Sequence, residues 1–243
     1  MSPVIPLYRL DERHPQAQAC MVCGLRGLAL FGSLRDEDLD RLHVDIAQLQ
    51  RDAGTRLYDA GARGAVVYTL RSGIVRFERV NERGERRIVR LAGAGDLLGQ
   101  EVLLGHAYAD DAVACTAVEL CRIPTAVVSD LGELQPALLR ELMRRWQRAF
   151  EDSQGWMAEL ANGPARRRVL KLLDKLGQYG EPGQPVWLPP RGEVGAMLNL
   201  TVETASRQIS QLRRDGVLVT EGWRRAWVDR VRLQRALQCQ DRS

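Results

Sequence analysis

Residues 191–216 limit what this chain can fold into more than any other stretch. Val202, Ala205, Ile209 and Leu212 are spaced by three, four and three, one apolar stripe at helical pitch. Glu203, Ser206, Arg207 and Ser210 fall on the other face. Thr201 stands where an N-cap belongs, and Asp215-Gly216 closes the run. Arg191 to Leu198 reads as a shorter helix, joined through Asn199 and Leu200. Two short helices with a tight connection predict a helix-turn-helix. Solvated helices ordinarily carry long Lys and Glu side chains, whereas this outer face carries one Glu, one Arg and hydroxyls. Such a surface suits close approach, and a DNA major groove admits a helix whose N-terminal side chains reach base edges. Thr201, Glu203, Ser206, Arg207 and Ser210 are therefore the candidate contacts to double-stranded DNA.

The 243 residues carry a net charge of +4, unevenly spread: residues 164–243 hold 15 Lys/Arg against 8 Asp/Glu, leaving the rest faintly acidic. A basic C-terminal third suits a protein that offers one end to phosphates; the plainer reading is a solvated basic surface. No run approaches the roughly 18 apolar residues that span a membrane. The N-terminus, with Arg9, Asp11, Glu12 and Arg13, lacks the apolar core of a signal peptide. Five cysteines are an odd count in a chain too large to need disulfide staples. A cytoplasmic protein whose paired cysteines serve chemistry is expected.

Residues 1–19 lack periodicity and contain Pro3, Pro6 and Pro15, which reads as an arm. After Ser33, Leu39, Leu42, Ile46 and Leu49 sit at helical spacing, predicting an amphipathic helix over 34–49. From Arg51 to Pro124 the texture becomes short β-type runs punctuated by Gly: 65–70, 74–80, 86–91 and a last strand from Ala112 to Ile123. Strands at that spacing predict a small antiparallel barrel or roll. Residues 134–162 form the longest helical run, with Leu139, Leu142, Trp146, Ala149, Ser153, Trp156 and Leu160 stepping by three and four. At helical rise it spans on the order of 40 Å, long for one small core, so the seam is packed in a bundle or shared with a second copy. Asn162-Gly163-Pro164 breaks it. Val217 to Thr220, a Glu221-Gly222 turn and residues 223–231 predict a β-hairpin wing. Its Arg224 and Arg225 are candidate phosphate contacts; the bland alternative for each is a solvated Arg.

The run from Gly192 to Gly216 resembles the DNA-reading element of the CRP/FNR superfamily of bacterial transcription regulators. Glu203-x-x-Ser206-Arg207 is similar to the FNR branch, whose recognition helix has the form E-x-x-S-R; the CRP branch has an Arg before the Glu, where this chain has Val202. The resemblance implies a TTGA-type half-site read by Glu203, Ser206 and Arg207. The chemistry agrees, since a Glu carboxylate accepts from a cytosine amine and Arg donates to guanine O6 and N7. Leu70-x-x-Gly73, Gly95-Asp96-Leu97-Leu98-Gly99 and Arg122-Ile123-Pro124 look like the superfamily's sensory roll, so the resemblance covers nearly the whole chain. It implies an α+β protein in four parts: an N-terminal arm with a Cys pair (1–33), an antiparallel β-roll of the cyclic-nucleotide-binding type (34–133), a dimerisation helix (134–162) and a C-terminal winged helix-turn-helix domain (163–243). A homodimer on a palindromic site, with RNA polymerase as a partner, follows from the same resemblance.

In nucleotide-binding rolls of the superfamily, a Glu for the ribose and an Arg-Ser or Arg-Thr pair for the cyclic phosphate follow this glycine segment. Here the matching stretch is Gln100-Glu101 and then His106 to Ala112, with Asp110 and Asp111 where the Arg should stand. Two carboxylates repel a phosphate, so no cyclic nucleotide is expected. FNR itself holds a [4Fe-4S] iron–sulfur cluster on an N-terminal C-x-x-C-x-x-x-x-x-C group plus one Cys on the strand before Ile-Pro. Cys20, Cys23 and Cys121 match those positions, and Ala29 stands where the third N-terminal Cys belongs. Cys115 is the further candidate ligand. In one continuous strand it would lie about 20 Å from Cys121, so a break or bulge must bring them together. Three readings stay open: a cluster sensing oxygen or nitric oxide, a metal-free thiol–disulfide switch pairing Cys20 or Cys23 with Cys121 or with each other, and a different small ligand or none. His14, His43 and His106 form no His-x-His pair, so no metal-enzyme site is visible; an enzyme with a winged-helix appendage is the distant alternative.

Overall fold

The computed structural model describes residues 30–33, 46–181 and 183–241. Cys20, Cys23, Ala29 and residues 34–45 of the predicted amphipathic helix lie outside them. The roll consists of two four-stranded antiparallel sheets. One orders β1 (Ala47–Arg51), β8 (Val118–Pro124), β3 (Val66–Ser72) and β6 (Leu97–Leu98). The other orders β2 (Arg56–Tyr58), β7 (Asp111–Ala114), β4 (Val75–Val80) and β5 (Arg86–Ala92). Period-two alternation builds them: Val75 and Phe77 of β4 enter the roll core, so Arg76 and Glu78 face the opposite side of the sheet.

Ile46 to Leu49 do not continue the predicted helix. Ala47–Arg51 pairs along β8 with Leu49 opposite Leu120. Leu49 packs on the roll core between exposed Gln48 and Gln50, an alternation that outweighs the helical spacing once β8 offers a ladder. The stretch from Ala112 to Ile123 is likewise two strands in different sheets, not one. Cys115-Thr116-Ala117 carries the chain between them, with the Ile74 N–H donating to Thr116 Oγ1 at 2.9 Å. Gly73 (φ 88°) passes so close beneath this crossing that a side chain there would collide with the Ala117 carbonyl.

The long helical run is also divided. α1 (Thr125–Leu134) stops at Gln135, whose backbone leaves the helix (φ −131°, ψ 89°) just ahead of Pro136. α2 (Pro136–Gly155) then runs for 20 residues, and a wide π turn (Trp156–Leu160) leads to the 162–164 link. The C-terminal part comprises α3 (Ala165–Leu176), β9 (Val186–Trp187), α4 (Arg191–Leu198), α5 (Val202–Arg214), β10 (Leu218–Glu221), β11 (Arg225–Val228) and α6 (Arg230–Asp241). β10, β11 and β9 form the small antiparallel sheet expected of a wing.

Two apolar clusters hold these parts. The first lies inside the roll and is closed by α1 and by Leu138 of α2. The second joins Val169, Leu173, Met197 and Ile209 of the C-terminal part to Ile74, Ile88 and Leu91 of the roll and to Trp156 and Leu160 of the π turn. The C-terminal part is thus packed on the outer face of the β4–β5 sheet. Among the described residues no helix is long and apolar enough to cross a membrane.

Candidate nucleic-acid interface and sensory site

Thr201 is extended (φ −70°, ψ 157°), and its hydroxyl accepts the Thr204 N–H at 3.2 Å, the N-cap that its position called for. Ala205, Ile209 and Leu212 are buried, whereas Val202, assigned to the same stripe, is exposed, because the domain covers the stripe only from the second turn onward. Asn199 turns the chain between α4 and α5 in the left-handed conformation (φ 54°). Gly195 lies so near the Leu200 carbonyl that a Cβ would stand 2.6 Å from its oxygen, which lets the two helices pack this closely. Glu203 and Arg207 are exposed, and Ser206 and Ser210 are half-exposed. The backbone N–H of Glu203 and then the Thr201 hydroxyl hold the Glu203 carboxyl below its ordinary range. It is therefore an ionised acceptor at neutral pH, suited to a cytosine amine.

Arg224 and Arg225 line, with Trp187, a cleft of about 340 Å³ whose far wall is Ala53, Cys115 and Thr116 of the roll. The Arg224 guanidinium lies 4.1 Å over the ring of Trp223, itself exposed at the wing tip.

The predicted seam on the long helix is split. Leu139 and Trp146 are exposed and Ala149 and Ser153 half-exposed, but Leu142 packs against the roll core, and Trp156 and Leu160 are buried in the second cluster. The reason is helical phase. α2 turns Leu138, Leu142 and Arg145 inward, Arg145 pairing with Glu141 at 2.9 Å and donating to the Gly95 carbonyl. Leu139, Met143, Trp146, Phe150 and, within the π turn, Met157 face outward, 38–71% exposed. That line keeps heptad spacing. Arg145, standing where an apolar repeat would read as interrupted, hides the true phase in the sequence.

Between the roll and α2 lies a cavity of about 220 Å³, lined by Phe77, Arg90, Gln100, Glu101, Asp110 and Trp146 among others. Its carboxylates are engaged: Glu101 accepts the Ala109 N–H (2.9 Å) and Asp110 pairs with Arg79 (2.7 Å). Asp111 accepts the Ala60 N–H (2.7 Å) and faces Arg56 at 3.5 Å. Arg90 leans over the Phe77 ring at 3.9 Å. Tyr58 and Tyr108 stack 3.9 Å apart beside Gly99, and the Tyr108 hydroxyl donates to the Val66 carbonyl.

Cys121 stands on β8 opposite Gln48 of β1 and Thr69 of β3, half-buried against the roll core. The chain does break between Cys115 and Cys121, as a shared site would require, but the break turns them toward different cores. Cys115 is 1% exposed in the second cluster, its sulfur 3.9 Å from Arg76 Nη1. Burial pushes its thiol up to about 12 despite the nearby Arg76. Without a metal it is a protonated thiol, held in an apolar core apart from the one Cys121 packs on. Among the described residues no three His, Cys, Asp or Glu side chains are grouped to hold a metal ion.

Not foreseen from the sequence is a buried ion network between β4 and α4. Glu78 pairs with Arg76 (2.5 Å) and Arg86 (2.7 Å), and Arg76 faces Glu193 of α4 at 3.5 Å. Charges alternating with apolar residues on a strand read as a solvated face, and nothing local announces that another domain covers it.

Known proteins share this arrangement. Residues 49–133 match a cyclic nucleotide-binding domain and residues 167–236 a Crp-like helix-turn-helix domain. Together they define a regulator with a roll of the cyclic-nucleotide-binding type and a DNA-binding module. The transcriptional activator protein FnrA of Stutzerimonas stutzeri is 33% identical over 215 residues, covering 85% of this chain and 88% of FnrA. The fumarate and nitrate reduction regulatory protein of Vibrio cholerae is 28% identical over 209 residues, 84% of each chain. FixK2 of Bradyrhizobium japonicum has the same fold, with a TM-score of 0.71 at 23% identity over 79% of this chain and 98% of FixK2. The chain belongs to the CRP/FNR family of transcription regulators, and its helix-turn-helix is the DNA-binding domain.

Proposed function

We propose that the protein is a dimeric regulator that binds a palindromic TTGA-type site, with Glu203, Ser206 and Arg207 reading bases. The observation that carries this reading is the outer face of α5, where an ionised Glu203 and Arg207 stand exposed beside the small hydroxyls of Ser206 and Ser210. Thr201, Arg224 and Arg225 serve as phosphate contacts that position without specifying. The exposed line Leu139, Met143, Trp146, Phe150 and Met157 supports the dimer, since a second copy would cover it by two-fold symmetry. The test is fluorescence anisotropy of the wild type with a TTGA palindrome and with the same duplex altered in both half-sites. Preference for the palindrome by tenfold or more supports the reading, and equal binding of the two overturns it.

For the signal, Cys20, Cys23 and Cys121 would hold an iron–sulfur cluster, which when bound supplies an oxygen- or nitric-oxide-labile group. Cys121 is only half-buried, so it can be met from outside the roll as Cys115 cannot. Three thiolates leave one cubane iron to a ligand other than Cys. That shortage favours, as the second reading, a metal-free disulfide switch of the same three residues. Visible absorption with iron and sulfide assays on protein purified without oxygen separates the two. A broad band that bleaches in air and is lost in Cys23→Ala supports the cluster; colourless protein after attempted reconstitution, with a disulfide forming on oxidation, supports the switch.

A further inference from the structure

We infer that the buried ion network between β4 and α4 is a positioning device, through which the roll sets the angle at which α5 is presented to DNA. The inference rests on the palindromic reading above. Arg76 and Glu78 lie on the outer face of β4, where a roll standing alone would leave them in water. They are 9% and 5% exposed because the DNA-binding domain covers them. Glu78 holds Arg76 from one side and Arg86 from another, and Arg76 reaches across the boundary to Glu193. The second carboxylate oxygen of Glu193 is buried without a hydrogen-bond partner among the described residues, so the Arg76 charge is what compensates it. Ile74 and Ile88 of the roll and Val194 and Met197 of α4 belong to the apolar cluster that joins the two domains. A buried pair of this kind adds little stability, but a shifted domain would leave its charges unpaired in that setting, so it selects one geometry.

That geometry passes on to the reading helix. α4 and α5 are locked together by the Gly195–Leu200 approach and the Asn199 turn, so an orientation fixed at Glu193 is an orientation of α5. The covalent link between the domains, with Gly163 at φ 91°, fixes much less. A palindrome demands that two such helices meet successive major grooves on one side of the duplex, whereas a single half-site places no demand on their mutual angle.

The test uses the full-length chain with Glu193→Gln, Arg76→Gln and the double variant, against a palindromic duplex and a duplex with one half-site. Glu193→Gln is the gentler change, because Arg76 keeps Glu78. Each single variant should weaken palindrome binding by about tenfold while half-site binding stays within about twofold, and the double should be no weaker than the singles. Arg76→Lys, which keeps the charge, should recover part of the loss. Unchanged palindrome affinity, equal weakening on both duplexes, or additive losses in the double would each overturn the inference. Wild-type protein that prefers neither duplex overturns the DNA reading instead. Tryptic cleavage after Arg166 to Arg168 then still tests the domain contact: it should speed up in the variants, and an unchanged rate would sink the positioning role by itself.

Discussion

Phe150→Asp should turn the proposed dimer into a monomer without unfolding it. Phe150 is 55% exposed near the middle of the outward line on α2. Fully burying a side chain of this size is worth about 1.5–3 kcal/mol, so the part still exposed holds about 1 kcal/mol, and five such positions in two copies give roughly 10 kcal/mol gross. Association itself costs about 4–15 kcal/mol, so the stripe works near its threshold and cannot absorb a large loss. Two-fold symmetry counts the substitution twice: about 2 kcal/mol of apolar burial disappears, and two carboxylates must lose water in an apolar seam, several kcal/mol more. A total of about 4–6 kcal/mol raises the dissociation constant by roughly 10³ to 10⁴. Sedimentation equilibrium at micromolar concentration should find the wild type at twice the chain mass and the variant at the chain mass, with helical circular dichroism preserved. A Phe150→Asp protein that stays dimeric would refute the placement of the interface. Trp156→Asp is the control: Trp156 is buried within its own chain, so it should lower the melting temperature and not act on assembly alone.

Other expectations follow from particular residues. Asn199→Val forces a β-branched residue to φ 54° and should cost about 1–2 kcal/mol, seen as a lower melting temperature, whereas Asn199→Gly should be tolerated; equal melting of the two variants would contradict the turn. Burial pushes the Cys115 thiol and the Tyr108 hydroxyl up to about 12 each. Both hold their proton more tightly when folded, so the stability they contribute is full below their unfolded pKa values, about 8.5 and 10, and is lost as pH rises toward 12. Urea midpoints measured through this range should fall, less steeply in Cys115→Ala, and a flat profile would count against the burial. Native Cys115 should resist iodoacetamide while Cys239, exposed on α6, reacts; equal labelling by mass spectrometry would show that the second core opens.

The helix-turn-helix was legible in the sequence almost residue by residue, because its determinants are local: an N-cap at Thr201, a stripe at helical spacing, and Asn and Gly where the backbone turns. The strands at 66–72, 75–80 and 86–92 were legible for a similar reason, being short alternating runs closed by Gly. What escaped depends on partners distant in the chain. Ala47–Arg51 is a strand because β8, some seventy residues on, lies beside it. Cys115 and Cys121 read as one strand until Gly73 shows that the chain must cross between sheets there. Arg76 and Glu78 read as a wet face until α4 is seen to cover them. The outward apolar line on α2 differs in phase from the seam expected of the sequence because Arg145, a charge, occupies an inward position that apolar patterning assigns outward.

Base reading by α5 is tested by anisotropy of Arg207→Ala on a set of palindromes that vary one half-site position at a time. Arg207→Ala should lose about 1–3 kcal/mol on the TTGA palindrome and stop distinguishing the base pair at one position, with the other preferences kept. Uniform weakening across every duplex would mean that Arg207 touches phosphate alone, and the assignment of base reading to this face of α5 would fail.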